Sequence, residues 1–508
     1  MSEDSKIVPE GDESVAPGVW RYAHADRVGV IIDAEDYFCL MQQAMLKARR
    51  RIMLVGWDFD TRIHLTHGRR WHERPIDGDY PSRLGSFILW LSRHRKGLEI
   101  NVLKWGLSIF QLLTRGSMTL DIMRMWPRRR ITFKFDTKHP VGCSHHQKLA
   151  VLDRKLAVCG GIDLTAGRWD TRSHREKDSR RRRPGGEIHK PWHDITMMME
   201  GEIAITLSEL CQARWQRAGA PALEEFKPPE ESPWPEDLQT DFEDVEIGIA
   251  RTRAEYEGVP AVTEIEDLII GQIKAARKFI YIENQYFTSR KIGEAICQRL
   301  TEEDPPEIIV VHPETAEGWL EQQAMDHARA ALTEMLGEVD KKNRFHLMIA
   351  NSGDENIYIH AKLMIVDDCI LRIGSANLNN RSMGLDSECD IFIDCTREAN
   401  QNRGFEEKIK AIRYSLIAEH CGTDEQVMRE LLDGADSMIE AIERVGPEGE
   451  KRLCHFELPD LGEAEEKLAE SELLDPEDPD DMFEPFAKGG LFRKGSLLDR
   501  VRKKVKGN

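Results

Sequence analysis

The sequence predicts an α/β protein built as a bilobed pseudo-dimer: two duplicated lobes, each a mixed β-sheet flanked by helices. Three observations carry that expectation. The chain has 508 residues, too long for one ordinary domain and suited to two or three. Segments of the first half recur, in the same order, in the second. Within each half, short apolar β-rich runs alternate with helical segments such as 34–50 and 263–277, the pattern of a sheet covered by helices on both faces.

The repeat begins at residues 47–55, KARRRIMLV, matched by 274–282, KAARKFIYI. Each reads as the basic end of a helix running straight into a buried strand. GWDFD (56–60) follows the first copy and ENQYF (283–287) the second. LEINVLKWG (98–106) has its counterpart in PEIIVVHPE (306–314), and ITFKF (131–135) in FHLMI (345–349), all short β-rich runs. The expected organisation is a flexible N-terminus over 1–27, a first lobe over 28–242, a second lobe over 243–424 and a tail over 425–508. A proline- and acid-rich joint, KPPEESPWPEDLQTDFED (227–244), separates the lobes.

The tail changes character along its length. Residues 425–445 read as helical. Residues 460–484 hold twelve acids against one lysine, a composition expected to stay disordered. Residues 488–506 reverse sign, with eight Lys/Arg against one Asp. There Ser496 could cap a short helix with Asp499, placing Leu497, Leu498, Val501 and Val505 on one face among Arg500, Arg502, Lys503 and Lys504. That pattern fits an interfacial membrane helix, and equally a solvated basic strip.

Composition limits the partners. Hydrophobic residues make up 40% and charged residues 32%, mean hydropathy is −0.50, and no run of eighteen apolar residues exists to span a membrane. The polar, acidic first twenty residues lack the pattern of a secretory signal. A formal charge of −19 repels polyanions unless positive charge is gathered locally. The ten cysteines form no C-x-x-C pair, so they read as reduced, buried thiols of a cytosolic protein rather than a disulfide framework or zinc set.

The chemistry is carried by a motif that occurs twice. Residues 144–161, SHHQKLAVLDRKLAVCGG, and 359–374, IHAKLMIVDDCILRIG, each contain H-x-K-x4-D: His146, Lys148 and Asp153, then His360, Lys362 and Asp367. Two matches at equivalent places in a duplicated chain are a strong signal. On a strand, positions i and i+2 share a face, so imidazole and ammonium emerge together. Such a pair suits attack on phosphorus, the cation holding a phosphoryl oxygen while the ring acts as nucleophile or acid. Asp153 and Asp367, five residues beyond the lysines, fall on the opposite face and read as structural partners. Gly160–Gly161 and Gly374–Ser375 leave room for close approach.

A second layer follows each motif. Asn377 lies seventeen residues after His360 and Asp163 seventeen after His146; Glu388 lies 28 after His360. A carboxylate on one ring nitrogen fixes the tautomer and frees the other nitrogen, which gives Glu388 an orienting role. In the first lobe the corresponding position is His174, so its carboxylate comes from elsewhere, Asp170 being the first candidate and Asp194 the second. His145, on the other face, reads as structural. Trp57, Trp169 and Trp192 could stack on a cationic group or serve the core. The loop 167–190 holds nine Lys/Arg against four acids; near the site mouth it suits anionic lipid heads, with nucleic-acid contact or plain solvation as the other readings.

These strings resemble the phospholipase D superfamily, and within it the two-motif phosphatidylcholine-type branch. HHQKLAVLD, GGIDLTAGRWD, YIENQYF (281–287) and IHAKLMIVDD with IGSANLNNRSM carry the resemblance, which spans roughly residues 28–425. It implies one active site at the lobe interface, with His146 as nucleophile forming a phosphohistidine. His360 would protonate the departing headgroup oxygen and then deprotonate the water that releases phosphatidic acid. Lys148, Lys362 and Asn377 would hold non-bridging oxygens. Asp163, at the matching position, would repel phosphate unless protonated or turned toward a lysine. No metal or other cofactor enters the chemical step, and an alcohol in place of water would give transphosphatidylation. The resemblance also implies a monomer with an internal pseudo-two-fold, peripheral on the inner face of a membrane. With only about 27 residues ahead of the core, no lipid-binding regulatory domain of the calcium, PX or PH kinds is expected. A nuclease of the same superfamily and a catalytically silent scaffold that binds phosphatidic acid are the alternatives.

Overall fold

The structure, a computed structural model, describes residues 16–66, 80–106, 116–315, 319–446 and 449–457, together with Arg500. The first lobe runs β1 (Arg21–Ile32), α1 (Ala34–Lys47), β2 (Arg51–Gly56), α2 (Leu84–His94), β3 (Glu99–Trp105), α3 (Ser117–Met125), β4 (Ile131–Asp136), β5 (Leu149–Leu152), β6 (Leu156–Gly160), β7 (Trp192–His193), β8 (Ile195–Glu200) and α4 (Glu202–Arg217). The second repeats the plan. It runs β9 (Phe242–Arg253), β10 (Val262–Thr263), α5 (Glu264–Ala275), β11 (Phe279–Asn284), α6 (Arg290–Leu300), β12 (Glu307–His312), α7 (Trp319–Val339) and β13 (Phe345–Ser352). It continues through β14 (Glu355–Asn356), β15 (Tyr358–Ile359), β16 (Lys362–Val366), β17 (Ile370–Gly374), α8 (Asn380–Gly384), β18 (Glu388–Asp394) and α9 (Phe405–Cys421).

Strand pairing displays the duplication directly. The first lobe is ordered β1-β8-β6-β5-β2-β3-β4 and the second β9-β18-β17-β16-β11-β12-β13. In both, the β2–β3–β4 or β11–β12–β13 pairs are parallel and the rest antiparallel. The lobes join edge to edge where β1 pairs antiparallel with β9, Arg21 opposite Ile249 and Val28 opposite Phe242. This is the self-complementary contact a pseudo-two-fold axis requires.

Alternation along the strands divides most of the core of the described residues into three large clusters. Met53 and Val55 of β2 enter a central cluster shared by both lobes, with Leu363, Ile365, Ile391 and side chains of α4 and α9. Ile52 and Leu54 face the other way, toward α1 and α2. Ile280 and Ile282 of β11 likewise face α5 and α6. Strands buried on both faces read as continuous apolar runs, which is why RIMLV and FIYI carry the repeat.

The two motif aspartates are part of this scaffold. Asp153 accepts hydrogen bonds from the backbone N–H groups of Arg49, Arg50 and Arg51 at 2.7, 2.7 and 2.8 Å. Asp367 does the same for Arg277, Lys278 and Phe279 at 2.7, 2.8 and 2.8 Å. Each thereby satisfies the turn between a helix and the strand after it. Each also opens a tight hairpin turn whose central residues, Asp153–Arg154 and Asp367–Asp368, have positive φ, a conformation Asp tolerates better than most residues. Asp153→Ala strips the acceptor from three amides and leaves an alanine at positive φ. The expected cost is about 3 kcal/mol, read as an earlier urea midpoint, with Asp153→Asn in between. An unchanged midpoint would show that water replaces the carboxylate.

Three boundaries differ from expectation. β1 begins at Arg21, inside the segment expected to be a flexible N-terminus, because Trp20 is fully buried against Arg251 of β9. The 227–244 joint is strapped along the first lobe, Lys47 Nζ donating to the Trp234 carbonyl at 2.9 Å. The tail is not wholly separate. After α10 (Glu425–Asp433) and α11 (Met438–Val445), strand β19 (Lys451–His455) pairs antiparallel with β13 and extends the second sheet. The acidic 460–484 segment and the 488–506 helix, Arg500 apart, lie outside the described residues. None of the described helices is long and apolar enough to cross a membrane, and all ten cysteines are free thiols.

Candidate active site

His146 and Lys148 sit immediately ahead of β5, and His360 and Lys362 at the start of β16, so the lobe-joining topology brings the two motifs together. Each histidine segment runs parallel to a short piece of the other lobe. Around His145 and His146 the partner is Ser387: the His146 N–H donates to the Ser387 carbonyl at 2.9 Å. Around His360 the partner is β7, which pairs with β15, and the His360 N–H donates to the His193 carbonyl at 2.8 Å.

These crossings determine which carboxylate serves which ring. His146 Nδ1 lies 3.0 and 3.1 Å from the Glu388 carboxylate oxygens, and His360 Nδ1 lies 2.7 Å from Asp194 Oδ2. Each lobe therefore orients the other lobe's histidine. The expected orienting role of Asp170 is corrected: its carboxylate is held 3.0 Å from His174 Nδ1 and accepts from the Trp192 N–H at 2.8 Å. Asp194 stands just ahead of β8 as Glu388 stands at the start of β18, so the two are counterparts. The loop 167–190, long only in the first lobe, moves the counterpart away from the position 28 residues after the histidine. Gly161 makes the approach possible, since a Cβ there would overlap Asp194 Oδ1.

Glu388 is further held by the Ser375 hydroxyl at 2.6 Å and the Ser382 hydroxyl at 2.8 Å. Ser382 was not singled out by sequence, and Ser375 only as a small residue leaving room for close approach, although GSANLNNRS lies beside the motif. Gln285, of the ENQYF string, accepts from Lys362 Nζ at 3.0 Å. Lys148 Nζ and Lys362 Nζ also donate to the backbone carbonyls of His146 and His360, at 2.9 and 2.5 Å, which aligns each lysine with its own histidine.

Asp163 was expected among the phosphate-binding groups; its Oδ2 instead lies 3.1 Å from Lys148 Nζ, turned toward the lysine. Asn377 is buried with its side-chain Oδ1 lacking a hydrogen-bond partner. His145 is structural in position, 2.8 Å from Ser387 Oγ and 3.2 Å from Asp136 Oδ2. Of the three tryptophans, Trp192 is buried, stacked on Tyr358 with Arg168 over its ring at 4.1 Å. Trp169 is buried too, while partly exposed Trp57 stands edge-on to His146 at 6.2 Å.

Burial and crowded cations shape the protonation states. Desolvation pushes both imidazoles well below their ordinary value, helped at His146 by Lys148 and Lys362 and at His360 by Lys362, Arg168 and Lys148. Desolvation pulls the Lys362 ammonium down to about 7 and pushes Glu388 up to about 8 and Asp194 up to about 7. The site is short of negative charge, the condition expected of a pocket shaped for an anion.

The basic loop borders a groove of about 890 Å³ whose lining includes Arg62, Arg83, Arg124, Arg180, Arg182 and Arg183. It begins at Thr165, whose hydroxyl donates to Asp58 at 2.6 Å, two residues beyond Asp163.

The fold and this centre define a duplicated α/β protein with one two-histidine site shared by its lobes. A family model described as Phospholipase D matches residues 44–293, and one described as Cardiolipin synthase, PLD-like domain, matches 269–410. Phospholipase D alpha 4 of Arabidopsis thaliana is 24% identical, over 75% of this chain and 62% of its own length. Phospholipase D1 of Saccharomyces cerevisiae is 24% identical, over 88% and 31%, and phospholipase D alpha 1 of Zea mays 26%, over 84% and 67%. The chain thus spans about a third to two thirds of these curated relatives. A solved phosphatidylserine synthase of Haemophilus influenzae shares the fold at TM-score 0.52 and 12% identity, over 77% of this chain and 86% of its own. The chain belongs to the phospholipase D superfamily.

Proposed function

We propose that this chain is a phospholipase D that hydrolyses the distal phosphodiester of phosphatidylcholine or a related glycerophospholipid by way of a phosphohistidine. The observation that carries the reading is the crossed pair of arms, His146 on Glu388 and His360 on Asp194, with a lysine beside each.

With Nδ1 turned to Glu388, His146 presents Nε2 to phosphorus. Attack forms the N–P bond and breaks the bond to the headgroup oxygen, which takes a proton from His360 Nε2. In the empty site His360 is neutral, for the electrostatic reasons given above. A bound phosphate offsets Lys148, Lys362 and Arg168, so substrate itself raises His360 into its proton-donating form. Neutral His360 then accepts a proton from the attacking water, phosphatidic acid leaves, and His146 is restored. An alcohol in that position yields headgroup exchange. Lys148 and Lys362 neutralise the non-bridging oxygens as charge shifts; the unpaired Asn377 Oδ1 only accepts, so Asn377 would bond a phosphoryl oxygen through its amide NH2.

A lipid surface suits what surrounds the site. Leu120, Met123 and Trp126 of the α3 region are 54, 64 and 84% exposed, and Arg128–Arg130 follow directly. Apolar side chains beside arginines are the composition of a peripheral contact with anionic membranes. The test is headgroup release from phosphatidylcholine, phosphatidylethanolamine and phosphatidylglycerol vesicles against phosphodiester cleavage of single-stranded DNA. Cleavage of DNA alone would replace this reading with the nuclease one.

Anion binding gives a separate check. Burial holds Lys362 near 7, opposed by Asp194 and Glu388 and reinforced by Lys148 and Arg168. Above that pH the empty site loses a charge that a bound anion would restore. Inorganic phosphate should therefore bind with proton uptake, weakening up to about tenfold per pH unit above 7. Lys362→Met should flatten that dependence in a calorimetric titration. A slope unchanged in the variant would assign the proton to another group.

A further inference from the structure

Behind Asp194 lies a buried cluster that the proposed mechanism does not use. Asp33 follows β1, His174 belongs to the basic loop, His193 to β7 and Glu419 to α9, so three elements of the first lobe meet one of the second. His174 and His193 are fully buried and Asp33 and Glu419 nearly so, and one donor atom from each lies within 4.8 Å of all the others. We propose that Asp33, His174, His193 and Glu419 bind one divalent transition metal, zinc by ligand chemistry, which fastens the two lobes behind the His360 arm.

The spacing fits the ion. His174 Nε2 lies 2.9 Å from Glu419 Oε1 and 3.3 Å from Asp33 Oδ2. His193 Nδ1 lies 3.1 Å from the same Glu419 oxygen and 3.3 Å from Asp33 Oδ1. Tetrahedral zinc with bonds of about 2.0–2.1 Å to nitrogen and oxygen has ligand edges of about 3.3 Å. Two imidazoles with two carboxylates favour zinc over calcium or magnesium, which prefer all-oxygen shells.

The surroundings also suit a metal. A metal-bound histidine characteristically gives its remaining ring N–H to a carboxylate, and both rings face one. His174 Nδ1 is 3.0 Å from Asp170 Oδ2, and His193 Nε2 is 2.8 Å from Glu283 Oε2. Those outer carboxylates are themselves anchored: Asp170 by Arg181 at 3.3 Å, Glu283 by the Tyr281 hydroxyl at 2.7 Å and His420 at 2.9 Å. Asp33 Oδ2, buried and directed at His174, has no hydrogen-bond partner. Asp33 also holds φ at +67°, a strained conformation for a non-glycine residue. Arg172 engages the other Glu419 oxygen, Oε2, leaving Oε1 to the cluster.

Charge balances either way, because a divalent cation or two protons on the imidazoles each neutralise Asp33 and Glu419. The metal adds a bond across the lobes. Asp33 is clasped to Asp194, its N–H donating to the Asp194 carbonyl at 2.8 Å and its Oδ1 accepting the Asp194 N–H at 3.1 Å. Since His193 precedes Asp194 in the chain, an ion here would fix the backbone that carries the carboxylate of His360.

The test uses the full chain, stripped with chelator and titrated with zinc, with metal content measured after gel filtration. About one zinc per chain, a higher melting temperature on loading, and at least tenfold weaker retention in His174→Ala and Glu419→Gln are expected. Cobalt in place of zinc should show visible ligand-field bands without the thiolate charge-transfer band that any of the ten cysteines would produce. Wild type that retains no zinc and does not shift its melting temperature would mean two protonated imidazoles fill the space, overturning the proposal. A thiolate band would overturn it as well. Neither wild-type measurement depends on a variant folding, and no readout involves lipid turnover, so the result stands apart from the catalytic reading.

Discussion

His146→Ala is expected to abolish headgroup release, lowering kcat by at least ~10⁴-fold, while the protein stays folded. The size follows from the role: without the ring there is no atom to form the N–P bond, and water has no comparable path through a buried site. Folding should survive because the ring is not a load on the core. Its side chain is 14% exposed, and Glu388, left without it, keeps the Ser375 and Ser382 hydroxyls at 2.6 and 2.8 Å. The measurement is choline release from phosphatidylcholine vesicles with melting temperature as the control for folding. A quenched reaction of wild type with slow substrate should also yield an acid-labile phosphoramidate on a peptide containing His146. Activity above about 1% of wild type in a folded His146→Ala protein would remove this residue as nucleophile.

Much of this site was legible in the chain because duplication writes the same physics twice. KARRRIMLV and KAARKFIYI became β2 and β11, equivalent strands in two equivalent sheets, and the two H-x-K-x4-D sets fell at the equivalent strands β5 and β16. Asp153 and Asp367 were separable from the chemistry by strand alternation alone. What spacing could not provide was the partner of each histidine. Counting 28 residues from His360 finds Glu388, but the count is a fact about one lobe, whereas the contact is made across the axis to His146. In the first lobe the loop 167–190 displaces Asp194 along the sequence without displacing it in space. Asp170 was attractive as a carboxylate near the motif, and it does orient a histidine, but that histidine is His174. The start of β1 was missed for a related reason: Trp20 is buried by Arg251 of the other lobe, a contact no local pattern announces. The Asp33–His174–His193–Glu419 cluster was equally invisible, since its four residues come from four separate segments rather than one spaced motif.

The crossed pairing is itself testable, because nucleophile and acid respond differently to the leaving group. Glu388→Gln leaves His146 with an amide in place of its carboxylate, so the ring can settle in the wrong tautomer and the developing positive charge goes unbalanced; a loss of ~10³–10⁴-fold in kcat is expected. Asp194→Asn does the same to His360, and for choline the loss should be of similar size, about 10²–10⁴-fold. With a phosphatidyl p-nitrophenol substrate the departing oxygen needs no proton, so loss of the acid matters little in the first step. The burst of p-nitrophenol should therefore return in His360→Ala and Asp194→Asn but not in His146→Ala or Glu388→Gln. What identifies the pairs is that each carboxylate variant follows the histidine of the opposite lobe. If Glu388→Gln instead behaved like His360→Ala, the carboxylate would be serving its own lobe, and the 3.0 Å contact between His146 and Glu388 would have no part in the reaction. The assignment of pairs holds whichever histidine attacks first, because exchanging nucleophile and acid would exchange the two groups of variants without breaking them apart.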